Sequence, residues 1–299
     1  MSDTVLRGKV TGTTSRSGRR LRRRDLAEGK VSWPLTILLV LGSLTVLVPL
    51  YFTVVTALKT PAQLGGAGFG VPESWTWSNF ADAWRLTNFP QAAGNSLMLT
   101  VGALVLTLLT NSLVSYAIAR QMAHHKVFKG LYFYFVSALF VPFPIIMLPV
   151  VKLTAQLGLD NQIGLVLLYT VYGLAFNIFV FVAYIKSIPL ELEEAARIDG
   201  ASTWAVFWRI VFPLLAPMNA TVAILTVIWV WNDFMLPLVI LSQRDDLTLP
   251  LTQYVFQSQF NTNYTVAFAS YLMQMAPLLL VYVVAQRWVI SGVTRGAIK

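Results

Sequence analysis

The chain has 299 residues, of which 56% are hydrophobic and 12% charged, and it carries a formal net charge of +9 and no Cys. Soluble domains carry roughly 25% charged residues, so this composition excludes most soluble enzymes and favours a lipid environment. The lack of Cys also excludes thiolate catalysis, thiolate metal sites and disulfide bonds.

Residues 1–32 form a basic segment ahead of the apolar part of the chain. They include nine Lys and Arg, three of them in Arg22-Arg23-Arg24, among many Ser, Thr and Gly. We expect a disordered cytoplasmic tail whose charge helps to set the orientation in the membrane. Binding of anionic lipid or nucleic acid is the alternative, but the aromatic residues that nucleic-acid modules interleave with basic ones are missing from the tail.

Six uncharged runs follow, each close to the length of about 20 apolar residues that a helix needs to cross a bilayer core. They are Pro34–Leu58, Leu97–Ala119, Leu131–Val151, Gly164–Tyr184, Ile210–Trp231 and Ala267–Ala285. Barrel strands would instead be alternating segments of about ten residues. The sequence therefore predicts an all-α polytopic membrane protein with six transmembrane helices in a domain that covers residues 33–299.

The distribution of basic residues predicts the orientation of these helices. With the N-terminus inside, eighteen of the 22 Lys and Arg lie in the tail, the inner loops and the C-terminal end. Only Lys59, Arg85, Lys152 and Arg244 fall on the outer side. Because cytoplasmic segments carry the excess of positive charge, both termini are expected in the cytoplasm.

Groups for nucleotide, metal and proton chemistry are sparse. Neither Gly-Lys pair is followed by the Ser or Thr of a phosphate-binding loop. The only histidines, His124 and His125, have no carboxylate at ligand spacing, so we expect loop residues, with a metal or pH-sensing role as the alternative. Asp233, just after the fifth run, is either an acid at the end of an interfacial helix or a group that lines a translocation pathway.

The segment 185–209, between the fourth and fifth runs, is the most informative part of the sequence. Pro189 suits the first turn of a helix, and the glutamates that follow it lie where the helix dipole favours anions. Arg197 is placed to pair with Glu193 or Glu194 one turn away. This spacing predicts a short helix on the cytoplasmic side.

Two residues predict how that helix ends and how the chain returns to the membrane. Gly200 is a natural stop, and Ser202 can cap a second helix. A helix-turn-helix along the inner surface is therefore expected. Its residues alone leave open whether it is a generic surface helix or an element that docks another protein.

Here the sequence resembles a known family. Glu194-Ala195-Ala196, Asp199-Gly200-Ala201, Phe207, Ile210, Pro213-Leu214 and Pro217 resemble the EAA loop of binding-protein-dependent ABC importer permeases, with Phe212 where that family usually has Leu. Asn95-Ser96, Tyr116-Ala117-Ile118-Ala119-Arg120, Trp231-Asn232-Asp233-Phe234 and Thr248-Leu249-Pro250 are similar to the carbohydrate-uptake branch, in particular the six-span partner of the maltose type.

The resemblance implies a permease subunit rather than an enzyme, in the cytoplasmic membrane, with a cytoplasmic coupling helix between spans 4 and 5. It implies a dimer of ATP-binding subunits, a second permease subunit in a heterodimer, an extracytoplasmic solute-binding protein and a sugar substrate as partners. ATP and Mg are then bound by the partner subunits, and this chain has no cofactor. The residues that would contact the ATP-binding subunits are Glu194, Ala195, Ala196, Asp199, Gly200 and Ala201.

A sugar pathway is expected to be lined by amide, hydroxyl and aromatic groups. The candidates are Asn111, Asn177, Asn219, Asn232, Asp233, Tyr271 and Gln274. For most of them a hydrogen bond between helices is the competing explanation. A stand-alone secondary carrier or channel is the alternative function, and it would need ionisable groups at mid-depth and inverted repeats, which the sequence does not display.

Overall fold

The computed structural model describes residues 32–65, 70–256 and 263–297, and the chain divides into two units after Phe52. In the first unit the described residues, 32–52, form most of helix α1 (Trp33–Ala57), whose apolar side chains are largely exposed there. Exposed apolar side chains of this kind suit contact with lipid. The basic tail predicted over residues 1–32 lies outside the described residues, apart from Ser32.

The second unit is a succession of helices. In chain order they are α2 (Ser78–Leu86), α3 (Phe89–Gln121), α4 (Lys126–Ser137), α5 (Phe143–Gln156), α6 (Gln162–Ile185), α7 (Glu191–Ile198), α8 (Thr203–Val206), α9 (Phe212–Leu214), α10 (Ala216–Asn232), α11 (Met235–Ile240), α12 (Leu249–Thr252) and α13 (Tyr264–Ala297). A π-helical segment, Phe207–Val211, joins α8 to α9, and single 3-10 turns occupy Pro61–Gly65, Ala138–Phe140, Arg244–Asp246 and Gln253–Phe256. The described residues contain no β-strand.

Several of these helices have the length and composition of membrane spans. Among the described residues, four qualify alone: α1, α3, α6 and the Tyr264–Val283 part of α13. Two bent pairs of helices qualify when each pair is taken together, which allows up to six spans. The all-helical membrane fold expected from the sequence is confirmed at this level.

The third and fifth predicted runs are bent rather than straight. The chain turns by 108° between α4 with its 3-10 extension and α5, and by 74° between the α8–α9 segment and α10. Pro142 has extended backbone at the first bend, and Pro217 lies in the first turn of α10 after the second. Proline disfavours helical backbone in the residue before it, and Val141 is extended at the first bend. At the second bend Pro217 lacks the backbone N–H that would continue the preceding helix.

Helices α3 and α6 pack against each other at the centre of the second unit. A Cβ added at Gly102 of α3 would lie 3.2 Å from a methyl group of Val166, so the helices approach closely at that level. Further along both helices, Ile118 and Phe181 are buried in one apolar cluster. The N-terminal part of α3 thus packs on the N-terminal part of α6, and the C-terminal parts pack together as well. The two helices therefore run side by side in the same direction.

Gly164 in the first turn of α6 has no room for a side chain, because an added Cβ would collide with the carbonyl oxygen of Leu159. We expect Gly164→Ala to destabilise the fold by about 1–3 kcal/mol, since backbone must move to relieve the overlap. Gly130→Ala in α4 is the matched control, because nothing lies within 4 Å of its Cβ position. Thermal unfolding of the purified protein in detergent measures the effect, and equal midpoints for the two variants would contradict the expectation.

Candidate functional site

The helix-turn-helix predicted between the fourth and fifth runs is present as α7, a turn and α8, which we call the elbow. Helix α7 ends at Ile198, and Gly200 adopts a φ of +86°, the left-handed conformation that favours glycine. The Ser202 hydroxyl accepts a hydrogen bond from the backbone N–H of Ala205 at 3.2 Å. Ser202 therefore caps α8 as the sequence predicted.

Most residues predicted to contact an ATP-binding subunit lie on the exposed surface of the elbow. Glu194, Ala195, Asp199 and Gly200 are exposed, whereas Ala196 and Ala201 are half-buried against the apolar core. Two large apolar side chains share this surface, Ile198 at 87% exposure and Trp204 at 61%. Apolar side chains exposed beside polar ones are suited to contact with another protein.

Glu193 is the only buried residue within Glu191–Ile198, a range that the structure describes in full. Its carboxylate is held from helix α3: the Tyr116 hydroxyl donates to Oε2 at 2.7 Å, and Arg120 Nε donates to Oε1 at 2.7 Å. Arg197 of α7 itself approaches Oε2 at 3.5 Å, one of the two pairings that the sequence suggested. Partners of this kind are required because burying an unpaired charge is costly. We call Tyr116, Arg120 and Glu193 the elbow clamp.

The two α3 residues of the elbow clamp also hold the chain on either side of α7. Arg120 Nη2 donates to the carbonyl oxygen of Ile188 at 3.2 Å, just before the helix. The Tyr116 ring lies 5.2 Å from the ring of Phe207, just after α8. Because Tyr116 and Arg120 are four residues apart, they share one face of α3. The C-terminal end of α3 therefore contacts the chain just before the elbow, within α7 and just after the elbow.

The elbow clamp is the feature of this region that sequence reasoning missed. The sequence places Glu194 among the expected contact residues, and it is exposed; Glu193, expected only as a possible partner of Arg197, is buried. Tyr116 and Arg120 were noticed only as part of a family motif. The available signal is a Tyr and an Arg one turn apart at the C-terminal end of an apolar run, in a chain whose predicted short helix is rich in glutamate.

Asn111 and Asn177 lie together between α3 and α6, and both are buried. Asn111 Nδ2 donates to the carbonyl oxygen of Thr170 at 3.4 Å. A Cβ at Gly173 would lie 3.0 Å from Asn177 Nδ2 and 3.5 Å from Asn111 Nδ2. The missing side chain at Gly173 thus leaves space in which two amides form a small polar cluster within an apolar helix pair.

Asp233 lies just beyond α10 among aromatic side chains. The Tyr169 hydroxyl donates to Asp233 Oδ2 at 2.9 Å, and the backbone N–H of Met235 donates to Oδ1 at 3.2 Å. Burial raises the pKa of the Asp233 carboxyl above its ordinary value, while these hydrogen bonds to the charged form oppose that rise. A cavity of 280 Å³ adjoins the carboxyl and is lined by Phe143, Pro144, Tyr172, Trp229, Asp233, Met235 and Leu236.

Tyr271 and Gln274 of α13 share a second cavity, of 550 Å³, whose walls are Thr53, Phe234, Pro250, Gln253, Tyr271, Gln274 and Met275. Gln253 Nε2 donates to Ser270 Oγ at 3.0 Å and to Gln274 Oε1 at 3.2 Å. Gln253 was not among the predicted residues, because it lies in the short segment that follows α12 and not in an apolar run. The second cavity is therefore lined by two amide side chains and two aromatic rings.

The two remaining pathway candidates are placed differently. Asn219 is half-buried on α10, and Asn232 is exposed, with its amide donating to the carbonyl oxygen of Ile228 in its own helix at 2.8 Å. Neither residue lines the cavity at Asp233 or the cavity at Gln274.

Known proteins resemble this chain in sequence and in fold. The family model for the binding-protein-dependent transport system inner membrane component matches residues 111–295, which include the elbow. The chain is 37% identical to the multiple sugar-binding transport system permease protein MsmG of Streptococcus mutans. The match extends over 269 residues, which are 88% of this chain and 95% of MsmG. It is 31% identical to the probable starch degradation products transport system permease protein AmyC of Thermoanaerobacterium thermosulfurigenes, over 89% of this chain and 96% of that protein.

A third relative, the diacetylchitobiose uptake system permease protein NgcG of Streptomyces coelicolor, is 30% identical over 88% of this chain and 87% of its own length. The fold is also similar to a chain of a bacterial ABC transporter involved in the import of the acidic polysaccharide alginate. For that crystal structure the TM-score is 0.74 and the identity 24%, with 93% of this chain and 99% of that chain covered. At that identity the likeness concerns the fold alone.

The elbow clamp predicts unequal effects for two arginines that both pair with carboxylates. Arg120 and Glu193 have 15% and 0% side-chain exposure, whereas Arg85 and Asp82 have 75% and 42%. Arg120→Met should cost about 3–5 kcal/mol of stability, because it removes the nearest cationic partner of a buried carboxylate and leaves only Tyr116 and the more distant Arg197. Arg85→Met, the control, should cost about 0–1 kcal/mol. Thermal unfolding in detergent compares the two, and an equal loss in both would argue against the buried pair.

Proposed function

The chain belongs to the family of binding-protein-dependent transport system inner membrane components, and we propose that it is the six-span permease subunit through which an ABC importer carries a sugar across the cytoplasmic membrane. The observation that carries the sugar assignment is the agreement among relatives at 30–37% identity, which are named as permeases for multiple sugars, starch degradation products and diacetylchitobiose. Like them, this chain is a transport subunit and not an enzyme.

Each bent helix pair counts as one span in this proposal, which makes six spans with both termini in the cytoplasm. The strong excess of Lys and Arg in the inner segments supports this orientation. The basic tail of residues 1–32 then precedes a permease domain of residues 33–299, and the coupling loop of residues 185–209 faces the cytoplasm. Within that loop, α7 is the coupling helix.

The exposed surface of the elbow is the proposed contact with a dimer of ATP-binding subunits. Glu194 supplies charge there, Ala195 permits close packing, and Gly200 provides the bend. Exposed Ile198 and Trp204 support the assignment, because large apolar side chains at a cytoplasmic surface are better covered by protein than by water. ATP and Mg are bound by those partner subunits, and this chain itself binds no cofactor.

A second permease subunit and an extracytoplasmic solute-binding protein complete the proposed assembly. The likeness of fold to the alginate transporter crystallised with an alginate pentasaccharide-bound periplasmic protein, at a TM-score of 0.61, is consistent with a solute-binding partner. The two permease chains form a heterodimer in this proposal. Rocking of the two subunits then alternates access to the pathway.

The sugar pathway follows from the two cavities. Aromatic rings beside a carboxylate at Asp233, and aromatic rings beside the amides of Gln253 and Gln274, match a ligand that is partly apolar and rich in hydroxyl groups. Asn111 and Asn177 supply polar groups deeper between the helices. Asn219 and Asn232 are weaker candidates, because neither lines these cavities.

Reconstitution in liposomes tests the function directly. We expect sugar uptake only when the second permease, the ATP-binding subunits, the solute-binding protein and ATP are all present. The competing function, a stand-alone carrier or channel, predicts uptake by this chain alone. Accumulation of sugar without companion subunits would therefore reject the proposal.

Coupling through the elbow predicts that changes on its exposed surface separate ATP hydrolysis from uptake. Gly200→Trp should lower the sugar transported per ATP at least about tenfold, because a large side chain at the bend displaces the contact with the ATP-binding subunit. Gly158→Trp is the matched control, since Gly158 also has a positive φ and open surroundings but follows α5 instead of α7. Glu194→Lys, compared with Asp160→Lys, tests the charge in the same assay. Equal coupling in a test variant and its control would remove the elbow from the proposed contact.

A further inference from the structure

We propose that helix α3 receives the movement of the elbow and carries it to the outer side of the protein, with Tyr116 and Arg120 as positioning residues. The inference rests on the proposed function, because the ATP-binding subunits supply the movement. It concerns residues that contact neither the ATP-binding subunits nor the sugar in that proposal. The elbow clamp and a second attachment at the opposite end of α3 are the observations behind it.

Apart from Ala196, which is half-buried against the apolar core, α7 is attached to the rest of the protein through the polar contacts of Glu193. Leu190 and Leu192, the apolar residues nearest the start of the helix, are 43% and 45% exposed, and Glu193 alone is buried within the fully described range 191–198. Apolar contacts are non-directional and permit sliding, whereas hydrogen bonds depend on distance and angle. The elbow is therefore fixed to α3 in one orientation by the bonds that Tyr116 and Arg120 make.

The covalent connections of the elbow offer less rigid routes. Between α6 and α7 the chain is non-helical over residues 186–190. Between the elbow and α10 it passes through the π-helical segment and the 74° bend. Arg120 and Tyr116, by contrast, hold Ile188, Glu193 and Phe207 directly. A displacement of the elbow must move the end of α3 or break these contacts.

The opposite end of α3 is joined by hydrogen bonds to a segment, residues 245–249, that lies on the outer side in the proposed orientation. Asn95 Nδ2 donates to the carbonyl oxygens of Asp245 at 2.7 Å and Leu247 at 3.1 Å, and Ser96 Oγ accepts a bond from the backbone N–H of Leu249 at 2.9 Å. We call these bonds the outer clip. They reach residues about 150 positions further along the chain, in the segment that leads to Gln253 and the second cavity.

Helix α3 between the two attachments is suited to transmit a displacement. It is one unbroken helix from Phe89 to Gln121, with its only proline in the first turn. Ser96 and Tyr116 are separated by about 30 Å along the helix axis, which is about the thickness of a bilayer core. The elbow clamp and the outer clip thus lie near opposite membrane surfaces on one rigid element.

The test uses the complete importer in liposomes and measures ATP hydrolysis and sugar uptake together. Glu193→Gln should lower the sugar transported per ATP at least about tenfold, and Tyr116→Phe at least about threefold, while ATP hydrolysis and the amount of assembled complex are retained. Tyr134→Phe removes the same hydroxyl from a side chain with 69% exposure and should leave the ratio unchanged. Tyr116→Phe keeps the ring that contacts Phe207, so it is the variant least disturbing to folding.

A double variant tests whether the elbow clamp and the outer clip act in series. Asn95→Leu removes the two side-chain amide bonds of the outer clip and should also lower the ratio. If α3 connects the two attachments, Glu193→Gln combined with Asn95→Leu should lower the sugar transported per ATP no further than the more damaging single variant does. Independent roles would instead make the two losses multiply, and that outcome would overturn the proposal.

Two further outcomes would also overturn it. One is a normal ratio of sugar to ATP in Glu193→Gln. The other is a parallel fall of uptake and hydrolysis in proportion to the assembled complex, which would make the elbow clamp a stabilising contact only. Failure of the wild-type complex to take up any sugar is a different result, because it would refute the proposed function itself.

Discussion

A carboxylate that is shielded from water is tolerated only where other groups complete its hydrogen bonds and pair with it. Glu193 meets this condition through Tyr116 and Arg120, and that contact joins α7 to α3. An eight-residue helix is too short to be stable on its own. Helix α7 therefore depends on its surroundings, and its one buried side chain determines which surface remains available to a partner.

Helix α3 makes polar contacts at three levels. Asn95 and Ser96 bind residues 245–249, Asn111 contributes to the cluster with α6, and Tyr116 and Arg120 hold the elbow. Polar groups within a spanning helix are costly when they face lipid, so they are expected to face other protein elements or a pathway. Helix α3 accordingly packs on α6 through its apolar side chains, and its polar side chains bind segments that are distant in sequence.

Much of the helical architecture was accessible from composition. The run predicted over Gly164–Tyr184 corresponds to α6 at Gln162–Ile185, because apolar length and helix length coincide where a helix is buried in lipid or protein throughout. The run predicted from Leu97 began too late, since α3 starts at Phe89. Its first two turns contain polar residues that bind residues 245–249, and a search for uncharged apolar residues underweights such turns.

The candidate site was less accessible. The turn at Gly200 and the cap at Ser202 follow from local backbone preferences and were predicted correctly. The elbow clamp joins residues 73 to 77 positions apart, and no local preference encodes such a contact. The same holds for the cavity at Gln274, where Gln253 comes from the short segment after α12, which has no apolar pattern of its own.

The sequence by itself determined that the chain is a helical membrane protein, where its apolar runs lie, and that a short acidic helix with a glycine stop separates two of them. These properties depend on composition and on interactions within a few residues. Only the tertiary structure decided that the third and fifth runs bend, and that Glu193 is buried while Glu194 is exposed. Adjacent residues of a helix point about 100° apart, so which glutamate is enclosed depends on what packs beneath the helix, and that is set by the distant end of α3.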